Sequence, residues 1–284
     1  MTPVKVLGLD GPKILLEGPS GTGKTRSVGT LVDWAAKQPE PFPVHVVYTE
    51  NSLETLLGYW TERDLPVPKN LHYHVNRVPA LDLASLIQAA NDAGKMSYEL
   101  LSKLVDPNRS KNNPWEKFLR LFADVPDDRT GTKFGNIGEW TNRQILVVDS
   151  LSEAAIACFR MQTGNKPTAS QPDYMVAQNN LIGWLRYMTQ SLHCTFVITG
   201  HVQRQLNEIT GATNLMTKAI GKALADDIPQ LFSETIYTRR EGANWYWDTA
   251  AVGVDTKTRY LSIDSKIKPD FSLIMDSWLK RASV

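Results

Sequence analysis

Residues 13–25 read KILLEGPSGTGKT, an apolar run followed at once by a glycine-rich segment. The segment matches the pattern G-x-x-x-x-G-K-[ST], which requires a strand before it and a helix after it; the apolar run and a helical pattern over 24–37 supply both. Its glycines let the backbone turn tightly and bring its N–H groups close to an anion. The helix points the positive end of its dipole at the same place. The sequence therefore predicts a phosphate-binding loop at the start of an α/β domain.

Each position of this loop has a mechanical role in binding a nucleoside triphosphate. We expect Lys24 to reach the β- and γ-phosphates and the Thr25 hydroxyl to ligate Mg²⁺. No guanine-reading N-K-x-D motif is present, so ATP is the default nucleotide, and the predicted cofactors are ATP and Mg²⁺. The predicted nucleotide-binding residues are Gly18, Pro19, Ser20, Gly21, Thr22, Gly23, Lys24, Thr25 and Arg26.

The composition of the chain argues against several classes of protein. Its 284 residues are 42% hydrophobic and 21% charged, which is typical of a soluble globular protein. The formal net charge of +1 provides no overall attraction to nucleic acid or to an acidic membrane. The first ten residues lack the apolar core of a signal peptide, and Cys158 and Cys194 lack metal or redox spacing. We therefore expect a cytoplasmic protein with buried free thiols and no membrane partner.

Short β-rich runs alternate with helical patterns, which is typical of a mostly parallel α/β sheet flanked by helices. Core strands are predicted at 13–17, 44–48, 71–75, 145–149 and 195–199. Helices are predicted at 24–37, 52–59, 81–91, 114–122 and 173–192. Three further runs, which predict a C-terminal antiparallel extension, are 232–238, 245–250 and 258–263. We expect one domain over 1–284, with an insertion at 95–140, a mobile loop at 201–229 and the extension at 230–265.

A second phosphate-site element is QILVVDS, residues 144–150. An apolar strand ending in Asp149 is the Walker B pattern, in which the carboxylate holds Mg²⁺. The next residue is Ser150, so the carboxylate that activates water must lie elsewhere. Glu50 follows strand 44–48, at the sheet edge where ligands of parallel sheets bind. We predict that Glu50 is the catalytic base; the alternative is that Glu50 only caps the next helix, as we expect of Glu54.

These elements resemble the RecA-like ATPases, particularly RecA, RadA and KaiC, and the phage-encoded RecA-like AAA proteins of single-strand annealing and recombination. The resemblance is carried by GPSGTGKT, YTENSLETL, ILVVDSLSEA and TFVITGHVQRQ, and it covers residues 10–265. It implies a RecA-like (ASCE) P-loop fold and an ATPase of DNA metabolism. It also implies that His201, or alternatively Gln203, senses the γ-phosphate, and that the 201–229 loop contacts single-stranded DNA.

The segment VGVDTKTRYLS resembles the Lys-x-[Lys/Arg] element that reaches into a neighbouring subunit's ATP site in this group. The resemblance implies a homo-oligomer with a shared site, in which Lys257 and Arg259 act in trans. Two residues apart on a predicted strand, they would project from the same face. The alternative is that both are solubilising surface charges.

Other functions remain open from the sequence. One is a DNA-packaging or translocation motor subunit on a related ASCE core. Another is a small-molecule or nucleotide kinase, with 95–140 as a lid that carries Arg109, Arg120 and Arg129. A non-hydrolysing, nucleotide-binding regulator is a further alternative.

Two sets of residues have structural and functional interpretations. His72 and His74 alternate on a predicted strand, as metal ligands do, but no cysteine or carboxylate lies at ligand spacing, so we predict no metal there. Trp245 and Trp247 flank Tyr246. Such aromatic side chains can stack on nucleic-acid bases, but packing of an edge strand against the core is the favoured interpretation.

Overall fold

The computed structural model describes residues 8–76, 87, 90–91, 94–95, 113–163, 169–206 and 213–283. The strands are β1 Lys13–Glu17, β2 Val44–Tyr48, β3 Leu71–Val75, β4 Ile145–Asp149, β5 Thr195–Gly200, β6 Val202–Leu206, β7 Thr213–Thr217, β8 Glu234–Glu241 and β9 Asn244–Asp248. The helices, numbered here among these residues, are α1 Lys24–Ala36, α2 Leu53–Thr61, α3 Pro114–Leu121, α4 Leu151–Thr163, α5 Gln171–Arg186, α6 Gly221–Asp227 and α7 Ser272–Ala282.

The predicted core of the fold is confirmed. All five predicted core strands are present to within one residue of their predicted bounds. The helices predicted at 24–37, 52–59 and 114–122 are also present, and α5 continues into a π-helical turn at Tyr187–Ser191. The helix predicted at 81–91 lies largely outside the described residues.

A seven-stranded sheet brings the phosphate loop, Asp149, Glu50 and His201 to one edge. Its order is β3-β2-β4-β5-β1-β8-β9, and every neighbouring pair is parallel except β8 and β9. Glu17 at the end of β1 pairs with Gly200 on β5, and Tyr48 at the end of β2 pairs with Asp149 on β4. Because these strands all end on the same side, the phosphate loop and the segments after β2, β4 and β5 meet there. This is the α/β P-loop fold.

The C-terminal extension differs from its predicted form. Strand β8 is parallel to β1, and only β9 is antiparallel to its neighbour. The prediction of a strand at 258–263 is wrong, since no regular strand is present there. The buried carboxylate of Glu234 accepts hydrogen bonds from the Thr258 hydroxyl (2.7 Å) and the Arg259 backbone N–H (2.6 Å). Side-chain bonding therefore replaces the ladder bonds of a strand.

Each face of the sheet carries its own hydrophobic core. Successive strand residues point to opposite faces, so Ile14 and Leu16 belong to one core and Leu15 to the other. The first core includes residues from α1, α2 and α7, among them Trp60 and Trp278. The second includes residues from α3, α4 and α5. Burying this much apolar surface is the main favourable contribution to folding. Among the described helices, none has the length and apolar character needed to span a bilayer.

The described part of the 95–140 segment belongs to the second core. Its helix α3 begins at Pro114, after Asn113, whose side chain accepts two backbone N–H bonds as an N-cap. Trp115 and Phe118 are 2% and 0% exposed and pack against Trp184 of α5. Helix α3, as part of that core, cannot open and close as a lid, because opening would expose the core to water.

The arginines of the kinase-lid alternative have other contacts. The Arg129 guanidinium donates to the carbonyl oxygens of Pro68 (2.7 Å) and Leu71 (3.0 Å), which ties its loop to β3. Arg120 pairs with Glu116 one turn earlier on α3. Arg109 lies outside the described residues. The two described arginines therefore do not converge on the phosphate loop.

Most of the predicted mobile loop at 201–229 has regular structure, apart from 207–212, which lie outside the described residues. Strands β6 and β7 form an antiparallel hairpin in which Val202 pairs with Thr217, and helix α6 follows. Hairpin and helix, rather than irregular loop, thus connect β5 to β8.

The prediction of buried free thiols is confirmed for Cys158 and Cys194.

Candidate nucleotide-binding and catalytic site

The phosphate loop joins β1 to α1, and its lysine folds back over it. Lys24 Nζ donates to the carbonyl oxygens of Gly18 (2.9 Å) and Pro19 (2.8 Å). Gly21 and Gly23 have φ of 75° and 81°, left-handed values that a residue with a side chain rarely adopts. Burial lowers the pKa of Lys24 to about 8, although nearby carboxylates oppose that shift. A triphosphate would replace the two carbonyls with stronger acceptors for the ammonium group.

A threonine of β8 braces the loop. The hydroxyls of Thr22 and Thr238 lie 2.6 Å apart, and the Thr238 hydroxyl also donates to the Glu17 carbonyl oxygen at 3.1 Å. A Cβ atom at Gly18 would collide with Thr238, so glycine is required there. The sequence did not point to Thr238, because this contact depends on β8 lying beside β1.

Asp149 is the centre of a cluster of hydroxyl groups. Its Oδ2 accepts from the hydroxyls of Thr25 (2.8 Å) and Ser52 (2.7 Å), and its Oδ1 accepts from Thr199. The pairing of the loop threonine with this carboxylate is the arrangement that both motifs predict. Ser52 and Thr199 were missed, although both follow or end strands predicted to reach this edge.

The donor set around Asp149 fits Mg²⁺. The Thr25 hydroxyl and the Asp149 carboxylate provide only oxygen ligands, which Mg²⁺ prefers, and they already lie within hydrogen-bond distance of each other. These two residues would hold the ion together with the triphosphate. When bound, Mg²⁺ would neutralise charge on the β- and γ-phosphate oxygens.

Glu50 lies at the same edge, held by residues that follow β4 and β5. The Ser150 hydroxyl donates to Glu50 Oε1, and His201 Nε2 lies 3.7 Å from the same oxygen. Interaction with His201, helped by Ser150, holds the pKa of Glu50 below its usual value against the opposing effect of burial. An ionised and partly exposed carboxylate is the form that a general base requires. Glu54, by contrast, is exposed in the first turn of α2.

A buried carboxylate lies directly before the loop. Glu17 is 1% exposed, and its Oε2 accepts from the Thr217 hydroxyl at 2.7 Å. Burial raises the pKa of Glu17 to about 7. The backbone N–H of Lys218 donates to the His201 carbonyl oxygen at 2.7 Å. The base of the β6–β7 hairpin is therefore bonded both to the strand that carries the phosphate loop and to His201.

The structure does not bring Lys257 and Arg259 to the phosphate loop of their own chain. Lys257 forms a bridge with Thr235, opposite the middle of β1, and its Nζ donates to the Gln230 carbonyl oxygen at 3.2 Å. Arg259, bonded to Glu234 through its backbone, lies further toward the start of β8. The loop follows the other end of β1.

Gln203, the alternative sensor, lies on β6 and pairs with Met216.

The two histidines of β3, His72 and His74, contact a turn. His72 Nδ1 lies 2.9 Å from Asp127 Oδ2, and His74 Nδ1 lies 2.8 Å from Asp128 Oδ1. These contacts attach the 127–128 turn to β3.

The sequence matches no protein-family model and no curated protein. Solved structures to which this chain is similar include two ATPases. One is the assembled ATPase EscN in complex with its central stalk EscO, from the type III secretion system of enteropathogenic E. coli, with a TM-score of 0.45 and 12% identity over 92% of this chain and 54% of that chain. Another, a prototypical ATPase from the type III secretion system of pathogenic bacteria, has a TM-score of 0.39 and 11% identity over 84% and 59%. This chain thus spans between half and three-fifths of the length of those two.

Proposed function

We propose that this protein binds ATP with Mg²⁺ and hydrolyses it. The observation that carries the proposal is the meeting of three elements at one sheet edge. Lys24 lies on the phosphate loop, Thr25 is bonded to Asp149, and Glu50 stands beside His201. Binding alone would need only the first two elements. An ionised carboxylate at the same edge supplies the group that hydrolysis adds.

The residues divide the reaction between them. A water oxygen attacks the γ-phosphorus, and Glu50 accepts a proton from that water molecule. The bond between the γ-phosphorus and the β,γ-bridging oxygen breaks, and its electron pair remains with ADP. Lys24 and the N–H groups of the loop stabilise negative charge on the phosphate oxygens. The products are ADP and inorganic phosphate, with the proton of the water released after its transfer to Glu50.

Replacement of Lys24 tests this proposal. Lys24→Ala removes the charge that pairs with the phosphates, so ATP binding and phosphate release should fall to background while circular dichroism and the urea midpoint stay close to wild type. Lys69→Ala, which removes an exposed lysine remote from the loop, is the matched control. ATP turnover in the Lys24 variant at the rate of the control would refute the assignment of the phosphate loop.

We propose further that the active form is a homo-oligomer with a site shared between subunits. The support is that Lys257 and Arg259 form a cationic pair which cannot serve the phosphate loop of its own chain. In a neighbouring subunit the two charges could stabilise the γ-phosphoryl group during transfer.

We also propose single-stranded DNA as the partner, bound by the β6–β7 hairpin. The hairpin begins at Val202, immediately after His201. The exposed Arg204 lies in the middle of β6, and the exposed Lys218 directly follows β7. DNA on the hairpin could therefore move His201 relative to Glu50. The role in annealing or recombination that the sequence resemblance implies belongs to this proposal.

Stimulation of the ATPase by nucleic acid tests the hairpin. Single-stranded DNA should raise the steady-state rate of wild type, and Arg204→Ala/Lys218→Ala should lose that increase while keeping the basal rate. The control Arg186→Ala/Lys280→Ala removes two exposed cations elsewhere and should keep the stimulation by single-stranded DNA. Loss of stimulation in both double variants would show that the effect is not specific to the hairpin. Stimulation by duplex DNA alone would instead favour the packaging or translocation motor.

A further inference from the structure

The two tryptophans of β9 lie on the same face of the strand but in different environments. Trp247 is 1% exposed and packs edge-on against Phe271 at 4.9 Å, so it belongs to the core. Trp245 is 38% exposed, an unusual environment for the largest apolar side chain. The favoured interpretation of the pair as core residues therefore holds for Trp247 and leaves Trp245 unexplained.

Trp245 rests on the phosphate loop. Its indole Nε1–H donates to the Gly21 carbonyl oxygen at 3.2 Å. A Cβ atom at Gly23 would lie 3.1 Å from Cγ of the ring, so the indole lies close against the loop backbone. These contacts hold the ring beside the residues of the phosphate loop, with 38% of the residue still exposed.

A cleft of about 620 Å³ begins at this ring. Gly23, Arg26 and Trp245 line one end of it, and it continues along α1 past Thr30 to Lys37. The volume is within the range of small-molecule sites. Because the loop N–H groups take the phosphates, the sugar and base of a bound nucleotide must lie outside the loop, and the cleft adjoins its last glycine.

Two guanidinium groups lie near the ring. The Arg26 guanidinium carbon lies 6.0 Å from the centroid of the Trp245 ring, and that of Arg240 lies 5.9 Å from it. Indole faces and guanidinium planes both stack on bases, and stacking accepts any base because every base has a π-face.

We infer that Trp245 is the stacking surface for the base of the bound nucleoside triphosphate, with Arg26 beside it at the mouth of the cleft. The inference rests on the proposed nucleotide-binding function and adds a second contact region to it. The loop holds the phosphates, and Trp245 holds the base.

Two ligands separate these contact regions. ATP carries a base, whereas inorganic tripolyphosphate presents only the phosphate chain. Binding of each would be measured by calorimetry with Mg²⁺. Trp245→Ala should lower the affinity for ATP about 10- to 100-fold, the usual effect of removing a stacked aromatic ring. It should leave the affinity for tripolyphosphate unchanged. Trp245→Phe should recover most of the affinity for ATP. Tyr246→Ala, a change on the opposite face of the same strand, should alter neither ligand.

Each remaining outcome has a distinct meaning. If Trp245→Ala lowers the affinity for ATP and for tripolyphosphate equally, the ring only shapes the loop and the inference is overturned. Unchanged ATP binding in Trp245→Ala would overturn it as well. Failure of the proposed function appears elsewhere, as Lys24→Ala protein that binds both ligands like wild type. If the Ala variant does not fold, Trp245→Leu, which keeps an apolar side chain but has no aromatic ring, takes its place, with the same expected loss of ATP binding and the same unchanged binding of tripolyphosphate.

Discussion

His201 Nε2 lies 3.7 Å from Oε1 of Glu50, which places the first residue after β5 against the proposed catalytic base. His201 precedes the β6–β7 hairpin directly, and its carbonyl oxygen accepts from Lys218 at the end of that hairpin. The environment of the base is therefore set partly by the hairpin that we propose binds single-stranded DNA. This relationship predicts how the pH dependence of the reaction responds to substitution.

Removal of His201 should shift the acid limb of the pH–rate profile. His201 helps to hold the pKa of Glu50 below its usual value, and the base must be ionised to act. In His201→Ala the pKa of Glu50 should rise, so activity should begin to fall at a higher pH than in wild type. Steady-state phosphate release between pH 4.5 and 8 measures the shift. His193→Ala, an exposed histidine paired with Asp10, is the control. An unmoved acid limb would contradict the proposed role.

Glu50→Gln should separate binding from chemistry. The amide keeps the size of the side chain but cannot accept a proton, so hydrolysis should fall about 10²–10⁴-fold while ATP and Mg²⁺ still bind. Calorimetry and phosphate release on the same preparation provide both measurements. Glu54→Gln changes an exposed carboxylate in the first turn of α2 and should behave as wild type. Normal turnover in Glu50→Gln would place the base elsewhere.

Asp149→Asn should weaken binding itself when Mg²⁺ is present. The substitution replaces a carboxylate that accepts from Thr25, so the site would lose an anionic oxygen for the ion. The expected signature is an ATP affinity that no longer increases with added Mg²⁺, whereas affinity in EDTA stays close to wild type. If Mg²⁺ strengthens ATP binding equally in both proteins, Asp149 is not part of the ion site.

The shared-site proposal predicts complementation between inactive variants. Lys257→Ala/Arg259→Ala protein lacks the trans-acting charges, and Lys24→Ala protein lacks a working phosphate loop. Each alone should be nearly inactive. In mixed oligomers an intact loop can face an intact cationic pair, so mixing should restore measurable ATPase activity, and light scattering should confirm that both variants assemble. Wild-type activity in the assembled Lys257/Arg259 variant alone would show that these residues are surface charges.

Glu17 should make folding stability depend on pH. Burial raises its pKa to about 7, from an ordinary value of 4.5, so between these values the folded chain keeps a proton that the unfolded chain has lost. Stability should therefore fall as pH rises through this window, by on the order of 3 kcal/mol for this residue.

Glu17→Gln removes that ionisation. Its free energy of unfolding should exceed that of wild type by a margin that grows from pH 4.5 to 7 and then levels off. Urea denaturation at pH 5, 6, 7 and 8 measures the margin. Glu54→Gln controls for the change in net charge. A difference between Glu17→Gln and wild type that is constant with pH would contradict the prediction.

Local patterns were enough to predict the elements that carry the proposed chemistry. The phosphate loop is contiguous in sequence, so its glycines and Lys24 could be recognised without any tertiary contact. The strands that end in Asp149 and precede Glu50 were recognisable because a buried parallel strand is a short apolar run. Once these strands are parallel, their carboxyl ends must share an edge, which is why Glu50 could be placed next to the phosphate loop in advance, whereas His201 was identified only through the resemblance to RecA-like ATPases.

By itself, then, the sequence determined the α/β core, the phosphate loop and the strand ends that supply Asp149, Glu50 and His201. Only the tertiary structure decided what surrounds them. Thr238 reaches Thr22, and Trp245 reaches Gly21, across more than 200 residues of chain. Those contacts exist because β8 runs parallel to β1 and β9 folds back beside β8. Local periodicity reports which face of an element is apolar, but it carries no information about which strand becomes its neighbour.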